Sequence, residues 1–573
     1  MPIPFATMSN KQPLGIKETL TSLMIAFMMA FIFRGFVIEG FIIPTGSMAP
    51  TLLGKHVRFV SPHNGYDWTT GPWDYTGRGG MGEPLRRQGA GDHPALTPTD
   101  PMTGLLIEPQ RDRRLAAGDR VFVLKYLPGL QKPSRWDVVV FKNPGTHENF
   151  IKRLVGLPGE QLALVDGDVF TRAYVPGVTS TAGPHAWQEP DWHIARKNER
   201  TQRTMFQPVF DSRYTPVRAE PTYRPPITPD DARAWSGVQD STVWTYTGQD
   251  ATTLSWNDRR PITDYYAYNQ GRPDRDRATG QPPTNPFVRP DDLGAIAPTY
   301  PVSDLALRVA VEPTGVPVSV TPTVTARGLV LQGVVDPVAG TATVRMRPED
   351  PAGAWTDLDS GPFDGLKPGT VTEIEFWHVD QALWLFVDGK LVCGGPERGA
   401  YSLTPAQRIG AAMVPTYDEL VAVDERMTTE SNRPGVTSAG AFARNDQYRN
   451  ARVRWDFAGG PMRIHRVELE RDIFYQPAPQ RFQRATLGTH YDNFPTLNEE
   501  QFFMCGDNSP NSEDSRYWRE SDINPWVRQN IDPTPGVVNR DLVVGRAFIV
   551  YFPAPLSGGP ILAPDFGRLR WIW

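Results

Sequence analysis

Cysteine is nearly missing from this chain: there are two in 573 residues, Cys393 and Cys505. That excludes a disulfide framework and leaves at most one bond between the pair. Histidine is sparse as well, nine in all. The histidines are scattered, with no His-Glu-x-x-His and no Cys/His spacing, so neither a metal nor a cofactor is expected. The net charge of -5 lacks the basic excess that points to nucleic acid. What is plentiful is proline (57) and glycine (51), falling between short apolar runs. That pattern opposes long helices and predicts a loop-rich, mostly β protein. The length predicts about two to four domains.

One apolar stretch stands apart. Thr19 to Phe33 carries no charge, Arg34 interrupts, and Gly35-Phe36-Val37-Ile38 resumes. A membrane span needs about 20 mainly apolar residues, which 19–38 supplies if Arg34 snorkels. Lys11 and Lys17 precede it, favouring a cytoplasmic N-terminus, residues 1–18. A cleaved signal peptide is the rival reading, but no small-x-small site follows. An uncleaved single-pass anchor is therefore expected, with the rest of the chain on the extracytoplasmic side.

Beyond the anchor, 39–165 reads as a compact β domain with a loop insertion at about 61–115. Its strand signals are Arg120–Leu124, Asp137–Phe141 and Ile151–Leu157. Residues 166–300 are polar and rich in Pro, Asp, Arg, Trp and Tyr, and read as an irregular insertion. Strand signals return over 301–475, the best at Thr372–Val379 and Ala382–Val387, closed by the hairpin pair Asp388-Gly389. This spacing predicts a β-sandwich. A last β segment, 490–573, includes Leu542–Tyr551 and a Trp-rich end, which fits a bilayer interface or core packing equally well.

Three motifs carry chemistry. Ser47 lies in Pro44-Thr45-Gly46-Ser47-Met48-Ala49-Pro50-Thr51-Leu52. Lys152 lies in Lys152-Arg153-Leu154-Val155-Gly156-Leu157-Pro158-Gly159-Glu160. A serine needs a base to attack an amide, and a lysine is that base only when burial lowers its pKa. Val138 to Phe141 and Phe150-Ile151 are the apolar company that requires, although such lysines more often reach out to water. Far downstream, Gly506-Asp507-Asn508-Ser509-Pro510-Asn511-Ser512-Glu513-Asp514-Ser515-Arg516 demands a tight hydrogen-bonded loop. A calcium loop is the sharp alternative there, but EF-hand spacing is absent.

With Arg135-Trp136-Asp137-Val138-Val139-Val140-Phe141 as a fourth box, these motifs behind an apolar segment resemble bacterial signal peptidase I. The resemblance covers about 1–60, 115–165 and 490–555, and leaves most of 166–490 as a large insertion. Within it, Ala382 to Val392 is similar to a strand and turn of a concanavalin/laminin-G-like jelly roll. The fold implied is mostly β: a transmembrane helix and a signal-peptidase-type β domain interrupted by a jelly-roll-like sandwich.

By this resemblance, Ser47 is the nucleophile and Lys152 the general base. The oxyanion hole is the Ser47 backbone N–H with the Thr45 hydroxyl. Ser512 is implied to hydrogen-bond and orient the lysine, and Asp514 and Arg516 to support the loop. Shallow substrate pockets fall on Phe41, Ile43, Pro44, Met48, Leu52, Val140, Phe150 and Ile151. The implied activity removes signal peptides from secreted preproteins after Ala-x-Ala. Implied partners are those preproteins, the lipid bilayer of the cytoplasmic membrane and the translocation machinery, with no nucleic acid. Two other readings stay open: a self-cleaving Ser/Lys repressor-type peptidase, and a tethered glycan- or peptide-binding protein with a degenerate peptidase domain.

Overall fold

In the computed structural model, the described residues are 16–71, 73–74, 83–84, 99–105, 107, 115–126, 132–179, 182–218, 220–269, 299–431, 440–477, 486–554 and 565–572. Much of the loop expected at 61–115 therefore lies outside them, as do parts of 166–300.

Ile16–Phe36 forms a helix, α1. Among the described residues no helix is long and apolar enough to cross a membrane, so the single-pass anchor expected over 19–38 is not supported. The uncharged core, 19–33, gives about 22 Å of helix at 1.5 Å per residue, against about 30 Å of hydrocarbon. Arg34 and Gly35 then intervene, and the chain enters a strand at Ile38 instead of extending the helix. Apolar side chains of α1 are nevertheless exposed on all sides, including Leu20, Met24, Ile25, Phe27 and Met29.

The sheet that holds the site takes strands from both ends of the chain. In chain order these are β1 (Ile38–Ile42), β2 (Arg120–Lys125), β3 (Val138–Lys142), β4 (Asn149–Gly156), β5 (Glu160–Val165), β6 (Asp168–Ala173), β7 (Gln501–Cys505), β8 (Val538–Asn539) and β9 (Val543–Phe552). All but β5 and β6 lie in one sheet, ordered β1-β2-β9-β3-β4-β7-β8. β5 and β6 form an antiparallel hairpin of their own, extended by a short strand at His193–Ile194. β3 and β4 are almost fully buried, with Val139 opposite Lys152 and Val140 opposite Ile151. A continuous Val-rich run covered on both faces reads this way in sequence.

The intervening region is a sandwich of an 8-stranded and a 7-stranded antiparallel sheet around one apolar core. Its hairpin Ala382–Val387 to Lys390–Gly394 turns at Asp388 (φ 46°) and Gly389 (φ 73°), both left-handed as an Asp-Gly turn requires. The stretch expected to be irregular adds short strands to both sheets, among them Gln207–Asp211, Trp244–Tyr246 and Thr252–Trp256. Runs of three to five residues are too short for alternation to stand out from their Pro- and Asp-rich surroundings. Cys393 and Cys505 are buried and free, in different sheets.

Buried charges join the sandwich to the β5–β6 hairpin. Arg327 clasps Asp166 at the β5–β6 turn through two bonds of 2.6 and 2.7 Å. Arg408 reaches Asp166, Asp168 and Asp304 at 2.8–2.9 Å. Lys197 sits between Asp380 and Asp472. Asp168, Asp304 and Asp380 are close enough together to suggest a cation site. Arg408 and Lys197 already supply the positive charge there. Removing one partner of such a network leaves unpaired buried charge. Arg408→Ala is accordingly expected to destabilise the chain by about 3–5 kcal/mol. Denaturant unfolding measures this, and an unchanged midpoint would contradict the role given to Arg408.

Candidate active site

The turn that carries Ser47 follows β1. Asp119 holds both of its ends: its backbone O accepts from Ile43 N at 2.9 Å, and its carboxylate from Leu53 N at 2.9 Å. Between them the chain coils tightly, with Ala49 N donating to Gly46 O and Leu52 N to Met48 O. Met48, Ala49 and Leu52 are fully buried, so the turn is pinned from beneath. This presents Ser47 to Lys152 on β4, and Lys152 Nζ donates to Ser47 Oγ at 2.6 Å.

Lys152 is 3% exposed. Its amine lies 5.3 Å from the centre of the Phe150 ring and has no carboxylate bonded to it among the described residues. Burial pushes its pKa down to about 8, partly opposed by the field of Asp514 and Glu513. Most of the apolar wall comes from the β3–β4 pairing.

The 506–516 loop closes the other side. Asp507 takes a bidentate bond from Arg153 at 2.7 and 2.6 Å, with both side chains inaccessible. Asp514 accepts from Gly506 N at 2.8 Å and from Arg516 at 2.9 and 2.8 Å. Asn508 N donates to Ser47 O at 3.0 Å. Gly506 has no room for a side chain, since a methyl group there would lie 2.5 Å from Ser47 O. Asp514 and Arg516 thus form a buried pair inside the loop.

Ser512 differs from expectation. Its Oγ is buried beside Gly506 but makes no hydrogen bond among the described residues, so it does not hold the lysine. The amine is turned to Ser47 instead. Thr45 is exposed, and its Oγ1 donates toward Ser47 Oγ at 3.5 Å. Of the pocket residues, Ile43, Met48, Leu52, Val140 and Ile151 join one buried cluster with Phe41 packed against it. Phe150 packs against the neighbouring cluster of Phe141 and Trp518, and Pro44 is exposed.

Sequence reasoning missed a segment of the intervening region. Tyr266 OH donates to Asp507 O at 2.6 Å and Tyr268 OH to Lys55 O at 2.7 Å. Asn269 and Asn508 exchange amide hydrogen bonds at 2.7 and 2.8 Å. Nothing local in Tyr265-Tyr266-Ala267-Tyr268-Asn269 signals this, because the partners lie more than 200 residues away. A cavity of 1140 Å³ adjoins the segment, lined by residues that include Leu53, His56, Trp256 and Arg260, and neither Ser47 nor Lys152 faces it.

The family model "Signal peptidase, peptidase S26" matches residues 110–205 and 447–552. These two segments, about a third of the chain, are similar to a signal-peptidase S26 domain, a peptidase class. Within that class the chain resembles signal peptidase I. It is 28% identical over 145 residues to signal peptidase I of Buchnera aphidicola subsp. Schizaphis graminum, covering 25% of this chain and 30% of that relative. It is 31% identical over 80 residues to a probable signal peptidase I-2 of Synechocystis sp., covering 13% and 37%. The chain thus spans about a third of the curated relatives it matches. Lys152 and the 506–516 loop fall within the matched segments, and Ser47 precedes them. Among solved structures, a carbohydrate-binding module from Bacillus subtilis aligns at 7% identity and a TM-score of 0.21, covering 43% of this chain and 95% of the module. A galectin of Caenorhabditis elegans aligns at 10% and 0.16, covering 29% and 83%. Both scores are too low to give the sandwich a fold relative.

The lysine amine is expected to titrate near pH 8, cationic below and neutral above. Carbon-detected NMR of labelled lysines reads this directly. An inflection at the ordinary value of about 10.4 would show the amine to be hydrated.

Proposed function

We propose that this chain is a serine endopeptidase of the signal peptidase I type, working through Ser47 and Lys152. The observation that carries the reading is the 2.6 Å bond from a buried, pKa-lowered amine to a serine hydroxyl. With the pKa near 8, about one lysine in ten is neutral at pH 7. That neutral amine takes the Ser47 proton as Oγ attacks the scissile carbonyl. The oxyanion accepts from Ser47 N–H and from the Thr45 hydroxyl, which rotates to meet it. Lys152 then returns the proton to the leaving amine and activates the water that hydrolyses the acyl-enzyme.

The substrate is read as the extended end of a signal peptide. β1 pairs with β2 on one edge, is open on the other among the described residues, and runs straight into the Ser47 turn. A peptide laid along it would add a strand, with main-chain bonds for affinity and alternate side chains for specificity. The cluster of Ile43, Met48, Val140 and Ile151 beneath is densely filled, which favours small side chains before the cut, as in Ala-x-Ala.

Preproteins emerge at the outer face of the cytoplasmic membrane, and we place the domain there, alongside the translocation machinery. A helix apolar on all sides needs apolar surroundings, so α1 is read as embedded in lipid. Vesicle flotation of the full chain and of one lacking residues 1–36 tests this: the full chain floats and the truncated one stays behind. Equal behaviour would remove α1 from the account.

Cleavage of a signal-peptide reporter tests the chemistry. Ser47→Ala and Lys152→Ala should each lower turnover by at least about 10³-fold, as loss of a nucleophile or its base does. Near-normal cleavage by folded Lys152→Ala would overturn the dyad.

A further inference from the structure

We propose that Asn269, inside the intervening region, is a positioning residue for the oxyanion donor, so that the sandwich is part of the catalytic apparatus. This rests on the Ser/Lys reading and extends it to a residue outside both matched segments.

The Ser47 N–H belongs to the Gly46–Ser47 peptide unit. That unit is planar and trans, so its C=O and N–H point in opposite directions. Whatever holds Gly46 O therefore aims Ser47 N–H. Gly46 O accepts from Ala49 N within the turn and from Asn508 Nδ2 across the loop, each at 3.0 Å. Asn508 is wholly buried, and its amide could face Gly46 with either end. Asn269 braces the nitrogen-forward orientation: its Nδ2 donates to Asn508 Oδ1 at 2.7 Å, and its Oδ1 accepts from Asn508 Nδ2 at 2.8 Å. The oxygen of Asn508 is thereby occupied and its nitrogen is presented to Gly46. The flipped amide would set oxygen against oxygen, and without Asn269 the Asn508 side chain keeps only its bond to Gly46 O, among the described residues, to hold its amide plane.

Two neighbours reinforce the arrangement. The Tyr268 ring lies against Gly46 so closely that a methyl group there would sit 2.0 Å from Cε1. Tyr268 OH is tied to Lys55 O, beyond the turn. Tyr266 OH caps Asp507 O, adjacent to Asn508. One five-residue segment of the intervening region thus braces the nucleophile turn and the 506–516 loop together.

The test compares wild type with Asn269→Ala and Asn269→Leu, which keeps the branched shape without the amide. Reporter cleavage, inhibition by a peptide aldehyde and thermal unfolding are measured for each. The aldehyde forms a hemiacetal with Ser47 whose oxygen occupies the oxyanion position. Loss of an oxyanion donor costs on the order of 10²–10³ in rate, and misaiming one should cost about 10–100-fold in kcat. Aldehyde affinity should fall by the same factor, with KM unchanged and the pH inflection still near 8. In an Asn508→Ala background, removing Asn269 should add little, because the two act as one unit. Unchanged kcat in a folded variant would overturn the proposal, as would a kcat loss with aldehyde affinity preserved or with the inflection moved. Should wild type and Lys152→Ala cleave alike, the Ser/Lys reading falls and this inference with it. Should wild type cleave, Lys152→Ala fail and folded Asn269→Leu match wild type, only this inference falls.

Discussion

An ammonium stripped of water is the constraint on which the rest of the site turns. Lys152 carries its amine on a strand whose neighbours are valine, isoleucine and phenylalanine. Its one bond among the described residues is to the Ser47 hydroxyl. Had a carboxylate been bonded directly to it, the attraction would have held the proton and left the amine inert. The nearby acids are instead committed elsewhere: Asp507 to Arg153, and Asp514 to Arg516 and the Gly506 amide. Those buried pairs do two things at once. They fix the loop that seals the lysine from solvent, and they keep negative charge from reaching it at bonding distance.

Much of the peptidase sheet was legible in the sequence because its strands announce themselves. Val138–Lys142 and Asn149–Gly156 are near-continuous apolar runs ending in turn residues, and Asp388-Gly389 marks a hairpin on chemistry alone. That Ser47 and Lys152 meet was legible for a different reason, from a resemblance carried by several motifs in order and not from either residue alone. Three things were not legible. The apolar N-terminal stretch reads longer than its helix, because hydropathy alone does not show that the helix stops at Phe36 and that Ile38 opens a strand. Ser512 was assigned a bond to the lysine by position in a motif, and position does not set a rotamer. The Tyr266–Asn269 segment was invisible, since hydrogen-bond partners brought together by topology leave no trace in local pattern.

The intervening sandwich is bound to the rest of the chain in two places by different physics. At the β5–β6 turn the contact is ionic and buried, with Arg327 and Arg408 converging on Asp166. At the nucleophile turn it is made of neutral amides, phenols and ring packing. Buried ion pairs add little net stability but reject misdocked arrangements strongly, because any displacement strands a charge. The first contact therefore fixes where the sandwich sits, and the second uses that fixed position to brace a few atoms around Ser47.

The Arg153–Asp507 pair joins residues 354 positions apart. A ribosome delivers the first partner long before the second, and closing so large a loop by diffusion alone is entropically costly and slow. A folded sandwich shortens that path by bringing the ends of the loop near each other. The wall that dehydrates Lys152 is thus completed only once Asp507 and its loop have been made. A nascent chain still short of Asp507 holds its serine and its lysine without the loop that dries the amine.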